Sequence, residues 1–212
     1  MNDKPIGIFD SGVGGLTVAR EMIRYLPKEN IIYFGDTARL PYGPRDLNEV
    51  RGFVFEIIEF FQTLDVKLIV IACNTGTAAG LKDVQEHFNL PIVGVIEPGA
   101  RGAVQATINR KVGVIATQGT INSSAYVKAI HAFDAGVEVY TQACPILVDF
   151  VEQGETRGGQ VEQVLRFYLE PLLGAEIDTL ILGCTHYPLL ASAISKGVTP
   201  RVELISSAKE TA

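Results

Sequence analysis

Two cysteines occupy matching places in this 212-residue chain. Residues 68–76 read LIVIACNTG and residues 180–188 read LILGCTHYP, so in each an apolar run of strand length delivers a thiol and then hydrogen-bonding side chains. Continuous apolar runs of this length fit buried strands of a parallel sheet, and ligands bind outside the carboxyl ends of such strands. Cys73 and Cys184 therefore stand where a site belongs, and two units facing each other would line one cleft with both thiols. Free cysteine is ordinarily a small buried hydrophobe, which is the reading for Cys144 in QACPILVDF. For the other two, that reading has to be right twice at matched positions.

Three chemistries could use the pair. A metal site would add the His186 imidazole, but the cysteines lack the close C-x-x-C spacing of structural zinc. A redox disulfide is disfavoured by the same missing motif. The third is acid–base work at carbon, in which one thiolate removes a proton and the opposite thiol returns one. Inverting a stereocentre needs a proton to leave one face and arrive on the other, and two like groups on opposite walls meet that need. A thiol has a reference pKa near 8.5 and works best as an acid–base group near the operating pH. An adjacent imidazolium or helix N-terminus lowers it. His186 is the candidate helper, whereas His87 and His131 fall in helical segments away from strand ends. Asp10, Asp36 and Glu152 are candidate acids to orient a histidine, meet an ammonium group or shuttle a proton.

A glycine-rich turn supplies the other chemical signal. FDSGVGGLTV, residues 9–18, follows the first strand and opens a helix. Gly12 and Gly14 give G-x-G, but Thr17 takes the third glycine's place in a dinucleotide fingerprint, and no Gly-Lys-Ser/Thr ending makes it a P-loop. A carboxylate at Asp10 would also repel phosphate. The turn instead presents Asp10 and Ser11 beside backbone N–H groups at a helix start, which suits a small carboxylate, while Asp10 suits an ammonium. The matching loop of the second half, IATQGTINSS, offers Thr117, Thr120 and Asn122 but no acid.

The elements that must position these groups are legible as alternating strands and helices. Residues 6–9, 31–34, 68–72 and 92–96 read as strands, as do 112–115, 137–140, 179–182 and 202–205. Between them run helical stripes, with Val50, Phe53, Val54, Ile57, Phe61 and Leu64 in the first half and Val161, Val164, Leu165, Tyr168 and Leu172 in the second. Asp46-x-x-Glu49 resembles a capping box. Landmarks repeat at a near-constant offset, so Ile6 answers to Val112, Cys73 to Cys184 and Ile96 to Ile205. The expected class is α/β, with two similar units of mainly parallel sheet. Residues 1–96 form the first and 97–206 the second, the boundary falling at a Pro-Gly turn near Glu97-Pro98, and 207–212 return to the first. Composition adds bounds. At 47% hydrophobic and 20% charged the chain reads as an ordinary globular protein. Its net charge of −6 and lack of a basic run argue against direct nucleic-acid binding. No apolar stretch is long enough to span a membrane, no leader is evident, and three widely spaced cysteines form no disulfide framework. The expectation is a reduced, cytoplasmic protein.

Taken together, FDSGVGG at 9–15, GDTARLPYG at 35–43, ACNTGTA at 72–78, GVIEPG at 94–99, VGVIATQGT at 112–120, FVEQG at 150–154 and LGCTHYPLL at 182–190 resemble the glutamate racemases of the aspartate/glutamate racemase superfamily. The resemblance runs along essentially the whole chain, and DSGVGG and GCTHYP are its most specific parts. It implies interconversion of L- and D-glutamate without cofactor or metal, supplying D-glutamate for peptidoglycan. It also implies two α/β domains related by a pseudo-twofold axis, with the substrate between them. Carried onto this sequence, Cys73 and Cys184 match the two catalytic bases, Asp10 and His186 the assisting residues, and Asp36 and Glu152 further acids near the site. Asp10, Ser11, Tyr42, Gly43, Asn74, Thr75, Thr185 and His186 correspond to substrate contacts, with Thr117 and Thr120 as weaker candidates. Family members are often homodimers, and some inhibit DNA gyrase as a second activity. Spacing alone does not separate glutamate from aspartate. The chain ends at LISSAKETA, where Ser207-x-x-Glu210 reads as a capping box with no helix after it. Members of the family continue for a few dozen residues, so a shortened chain with weakened activity is expected.

Overall fold

The computed structural model describes residues 3–212. Its first half runs β1 (Ile6–Asp10), α1 (Leu16–Tyr25), β2 (Ile31–Gly35), α2 (Leu47–Thr63), β3 (Leu68–Ile71), α3 (Asn74–His87) and β4 (Ile92–Gly94). After α4 (Ile96–Ala106) come β5 (Lys111–Ala116), α5 (Gln118–Asn122), α6 (Ala125–Phe133), β6 (Glu138–Ala143), α7 (Ile146–Glu152) and α8 (Gly159–Gly174). The chain finishes with β7 (Thr179–Gly183), a 3-10 turn at Tyr187–Leu190, α9 (Ala191–Gly197), β8 (Glu203–Ser206) and α10 (Ser207–Thr211). Two four-stranded sheets result, ordered β2-β1-β3-β4 and β6-β5-β7-β8, with every pairing parallel. The architecture is α/β, and the two sheets have the same topology, which is the internal repeat made physical.

The strands alternate as a doubly covered sheet requires. In the first sheet Phe9, Ile69 and Ile71 pack with Val50, Val54, Ile57 and Phe61 of α2. Ile6, Ile8 and Val70 point the other way, onto Val18 and Met22 of α1. In the second sheet Leu180 and Leu182 meet Leu165, Leu169 and Leu172 of α8, while Ile181 and Val114 face Ile96, Ala100, Tyr126 and Ile130 of α4 and α6. Each such fully buried aliphatic side chain contributes about 1.5–3 kcal/mol, so the four helix–sheet layers fix where the strand ends lie. Both thiols emerge at equivalent ends, Cys73 two residues past the end of β3 and Cys184 directly after β7.

Several local expectations are corrected. The strand expected over 92–96 ends at Gly94, and Ile96 already opens α4. Thr77 of α3 draws the turn in, its hydroxyl oxygen accepting from the Val95 N–H. The expected Pro-Gly turn is therefore helix, because Pro98 sits in the first turn, where a missing N–H costs nothing. Asp46 caps α2 by accepting from the Asn48 N–H, while Glu49 takes Arg45, so the reciprocal box is not made. At the end of the chain Ser207 lies inside α10, after the N-cap Ser206, and is buried. Ala208 and Ala212 pack with Ile6, Ile8, Val18 and Met22.

Asp178 ties the link between the two sheets. Its carboxylate accepts from Thr107 Oγ1 at 2.6 Å, the N–H groups of Ile108 and Asn109 at 2.7 Å each, and Thr179 Oγ1 at 3.0 Å. Burial pushes its pKa up, but those donors outweigh burial and hold it below the ordinary carboxylate value. A depressed folded pKa gives stability that is present above the unfolded value, near 3.9, and lost as pH falls through the folded one. Asp178→Asn is expected to cost about 1 kcal/mol at pH 7 after solvent screening. In denaturant melts the gap to wild type should close below about pH 4. A gap that stays constant down to pH 3 would mean that shape, not charge, holds this link.

Candidate active site

A cavity of about 260 Å3 opens between the carboxyl ends of the two sheets. Cys73, Asn74 and Thr75 line it from the β3 side, Cys184, Thr185 and His186 from the β7 side. Ser11 comes from the glycine turn, Tyr42 and Gly43 from the loop after β2, and Thr117 from the end of β5. Of the sequence-derived candidates, these line the cavity directly. Asp10, Asp36, Glu152 and Thr120 stand one layer behind.

Cys73 is the N-cap of α3, with Sγ 3.4 Å from the Gly76 N–H. Burial and the neighbouring Asp10 charge push its thiol up to about 12, against the pull of the backbone N–H groups of Gly76, Ser11 and Thr75. Burial likewise raises Cys184, opposed by the His186 N–H and the Thr185 hydroxyl, and reinforced by the charges of Asp10 and Cys73. The two thiols are thus near enough for a charge on one to be felt at the other.

Asp10 is wholly buried, and its Oδ2 accepts from the N–H of Gly15 at 2.9 Å and of Gly12 at 3.2 Å. Burial raises its pKa, while His186, both N–H groups and the Thr185 hydroxyl act the other way. Thr185 Oγ1 lies 3.3 Å from Oδ1, so this carboxyl is held from both halves of the chain. His186, which is buried, has Nε2 2.6 Å from Glu152 Oε1 at the end of α7. A carboxylate can only accept, so Nε2 carries the hydrogen and Nδ1 faces Cys184 Sγ at 3.7 Å.

Behind the opposite wall, Tyr42 OH donates to Asp36 Oδ2 at 2.6 Å, and Arg39 Nη1 stands 3.5 Å from the same oxygen. Thr120 joins Thr75 at 3.2 Å and Thr117 at 3.1 Å, and those two hydroxyls lie 2.9 Å apart. Cys144 is in the core with Leu147 and Tyr187 and is not part of the lining. His87 and His131 are exposed on α3 and α6.

Gln118, Pro145, Val148 and Asp149 also line the cavity and had not been picked out from the sequence. The repeat held the signal for Pro145, which follows the carboxyl end of β6 as the Asp36 loop follows β2. Gln118 adjoins Thr117 at the end of β5, and Val148 and Asp149 lie one helical turn on from Pro145. Among the described residues, no three His, Cys, Asp or Glu side chains converge as a metal site would require.

The sequence profile of the Asp/Glu/Hydantoin racemase family matches residues 6–212. The chain belongs to that family. It is a racemase, and so an isomerase. It is 54% identical over 212 residues to the glutamate racemase of Corynebacterium diphtheriae, covering all of this chain and 80% of that one. Its fold superposes with a TM-score of 0.97 on the crystal structure of glutamate racemase isoform RacE1 from Bacillus anthracis. Identity there is 51%, over 100% of this chain and 79% of the other. Glutamate racemase from Francisella tularensis in complex with D-glutamate gives 0.92 at 40% identity, over 99% and 78% of the two chains.

The racemase's glycine turn presses directly on its second half. A Cβ at Gly14 would lie 2.6 Å from both His186 Nδ1 and Thr185 Oγ1, closer than real Cβ contacts come. Both of those atoms belong to buried side chains with other partners, so neither gives way freely. Gly14→Ala is expected to displace the imidazole and lower racemase turnover about 100-fold, as small misplacements of reacting groups do. Thermal melts alongside turnover provide the check, with overpacking expected to cost about 1–3 kcal/mol. Unchanged turnover in the folded variant would show slack at this contact.

Proposed function

We propose that this chain interconverts L- and D-glutamate by two-base proton transfer at Cα, without a cofactor, and so supplies D-glutamate for peptidoglycan in the cytoplasm. The observation that carries the reading is one cavity bordered by two buried thiols at equivalent strand ends. The kinship with glutamate racemases named above supports the choice of substrate, and the cavity suits a molecule of amino-acid size.

On this reading Cys73 removes the α-proton of one enantiomer while Cys184 delivers a proton to the other face, and the roles reverse for the return. Each thiol has its own helper. Asp10 stands beside Cys73 to accept its proton or meet the substrate ammonium, and the His186 Nδ1 does the same for Cys184. Glu152 sets the His186 tautomer, and Asp36 holds the Tyr42 phenol at the cavity wall. Ser11, Tyr42, Gly43, Asn74, Thr75, Thr117 and Thr185 offer hydroxyl, amide and backbone groups to two carboxylates, with Thr120 orienting Thr75 and Thr117. A thiol with a raised pKa is neutral in the empty site yet strongly basic once ionised. The substrate ammonium, an opposite charge brought close, favours that ionisation.

In D₂O, L-glutamate should lose optical rotation, and early deuterium at Cα should appear in the D-product rather than in returned L-substrate. Deuterium returning mainly to the starting enantiomer would point to a single base. Aspartate run in parallel tests the substrate. Cys73→Ala and Cys184→Ala should each lower racemisation at least about 1,000-fold in both directions, since every turnover needs both groups. Racemisation at the wild-type rate in either variant sinks the pairing.

The raised thiol pKa also fixes a sign for the pH dependence. The acid partner stays protonated throughout the neutral range, and the base partner ionises more as pH rises. Hence kcat/KM should climb between pH 6 and 8 in both directions. A flat profile over that range would mean that the base is already ionised in the free enzyme.

A further inference from the structure

Asn74 follows Cys73 at the start of α3 and lines the cavity, and it is 3% exposed. Its amide is only half satisfied. Oδ1 accepts from Tyr126 OH at 2.7 Å, while Nδ2 has no hydrogen-bond partner among the described residues. A buried amide N–H₂ without an acceptor is costly, and one that lines a ligand cavity has a use there, as a donor to an oxygen that arrives with the ligand.

What keeps the amide turned this way is Tyr126 of α6, which is 2% exposed and does not line the cavity. Its position is fixed from several sides. The ring lies against the end of β7, where a Cβ at Gly183 would come within 2.9 Å of Cε2. Ser207 of α10, whose hydroxyl donates to Leu182 O at 3.5 Å, packs beside the phenol end, where a Cβ at Gly99 of α4 would sit 3.2 Å from Ser207 Cβ and 3.4 Å from the phenol oxygen. Burial keeps the phenol protonated, hence a donor. The phenol's one hydrogen goes to Oδ1, which sets the amide with its carbonyl toward Tyr126 and leaves Nδ2, on a cavity-lining residue, without a partner among the described residues. Tyr126 therefore touches the residue after Cys73 and the residue before Cys184.

We propose that Tyr126 is a positioning residue for this racemase: its phenol holds the Asn74 amide so that Nδ2 donates to a substrate carboxylate oxygen. The proposal rests on the glutamate reading above. Because Tyr126 belongs to the second sheet's helices and Asn74 to the first's, the donor is aimed only when the two halves stand in this arrangement.

Steady-state kinetics in both directions on a double-mutant cycle test it. Tyr126→Phe keeps the ring and removes one hydroxyl; it should raise KM for glutamate about tenfold, the scale of a hydrogen bond to a charged group, and change kcat less than about threefold. Asn74→Ala should raise KM at least as much. Adding Tyr126→Phe to Asn74→Ala should add nothing further, because the amide through which Tyr126 acts is gone. An unmoved KM in Tyr126→Phe overturns the proposal. So does a Tyr126→Phe effect that persists in full on Asn74→Ala, which would assign the effect to packing on Gly183. Should Tyr126→Phe fail to fold, Ser207→Ala takes its place, with a smaller rise in KM that vanishes on Asn74→Ala and overturns the proposal if it does not vanish. Wild-type protein that leaves glutamate unchanged overturns the substrate reading beneath the proposal, an outcome distinct from turnover with an unmoved KM.

Discussion

The Asp10 carboxyl group has to be buried and hydrogen-bonded at once, and much of the site follows from how that is done. A buried carboxylate is expensive unless donors surround it. Here they come from two places: the Gly12 and Gly15 N–H groups of its own turn, and Thr185 Oγ1 of the other half. The turn can wrap so closely only because Gly15 has no side chain; a Cβ there would lie 2.4 Å from Asp10 Cβ. Thr17 extends the stitch, its hydroxyl donating to Gly14 O at 2.9 Å and lying 3.1 Å from Thr185 O. Tyr33 closes the outer side by donating to Gly12 O. One charge at the end of β1 thereby sets how near the two halves approach, and with it the separation of the cavity walls.

The rest of the seam is polar in the same way. Thr75 meets Thr117 and Thr120, and Asn74 meets Tyr126, each pair joining elements of the two sheets. Hydroxyls suit this place because each both donates and accepts. The hydroxyls of such a seam satisfy one another when empty and can exchange partners with an arriving carboxylate, while the Asn74 Nδ2 is the group left without a partner among the described residues. Apolar packing would hold the halves as firmly but would offer the ligand nothing. The four apolar clusters instead lie between sheets and helices, where rigidity is what is needed.

Most of this was legible in the sequence wherever the signal is local. Buried strands announce themselves as apolar runs, so β1, β3, β5 and β7 were located closely, and the repeat paired Cys73 with Cys184 before any coordinates. Errors fell where a tertiary contact overrode a local preference. Residues 95–96 are apolar enough for a strand, but Thr77 captures the Val95 N–H and the chain turns into α4. Ser207 has the spacing of a cap, yet it is drawn inside α10 against Tyr126 and Gly99. Tyr126 itself carried no sign, since an aromatic residue on an apolar helix face reads as core. It is core on its ring and polar at its tip, and only the fold shows that the tip reaches Asn74.

The two sheets are alike, but the groups beside the two thiols are not. Cys73 has a carboxyl neighbour and a nest of backbone N–H groups, while Cys184 has an imidazole braced by Glu152. Such asymmetry would make a reaction run better one way than the other if the ends differed in free energy. Enantiomers in water do not differ, so the equilibrium constant is one. The ratio of kcat/KM in the two directions must then equal one, whatever the site looks like. Different helpers can only trade kcat against KM within each direction, by stabilising one bound enantiomer more than the other. If both thiols act as proposed, the repeated fold is therefore under no thermodynamic pressure to keep its two thiol ends chemically identical. On the two-thiol reading proposed above, symmetry is demanded only of the geometry, which would put one thiol on each face of the same carbon.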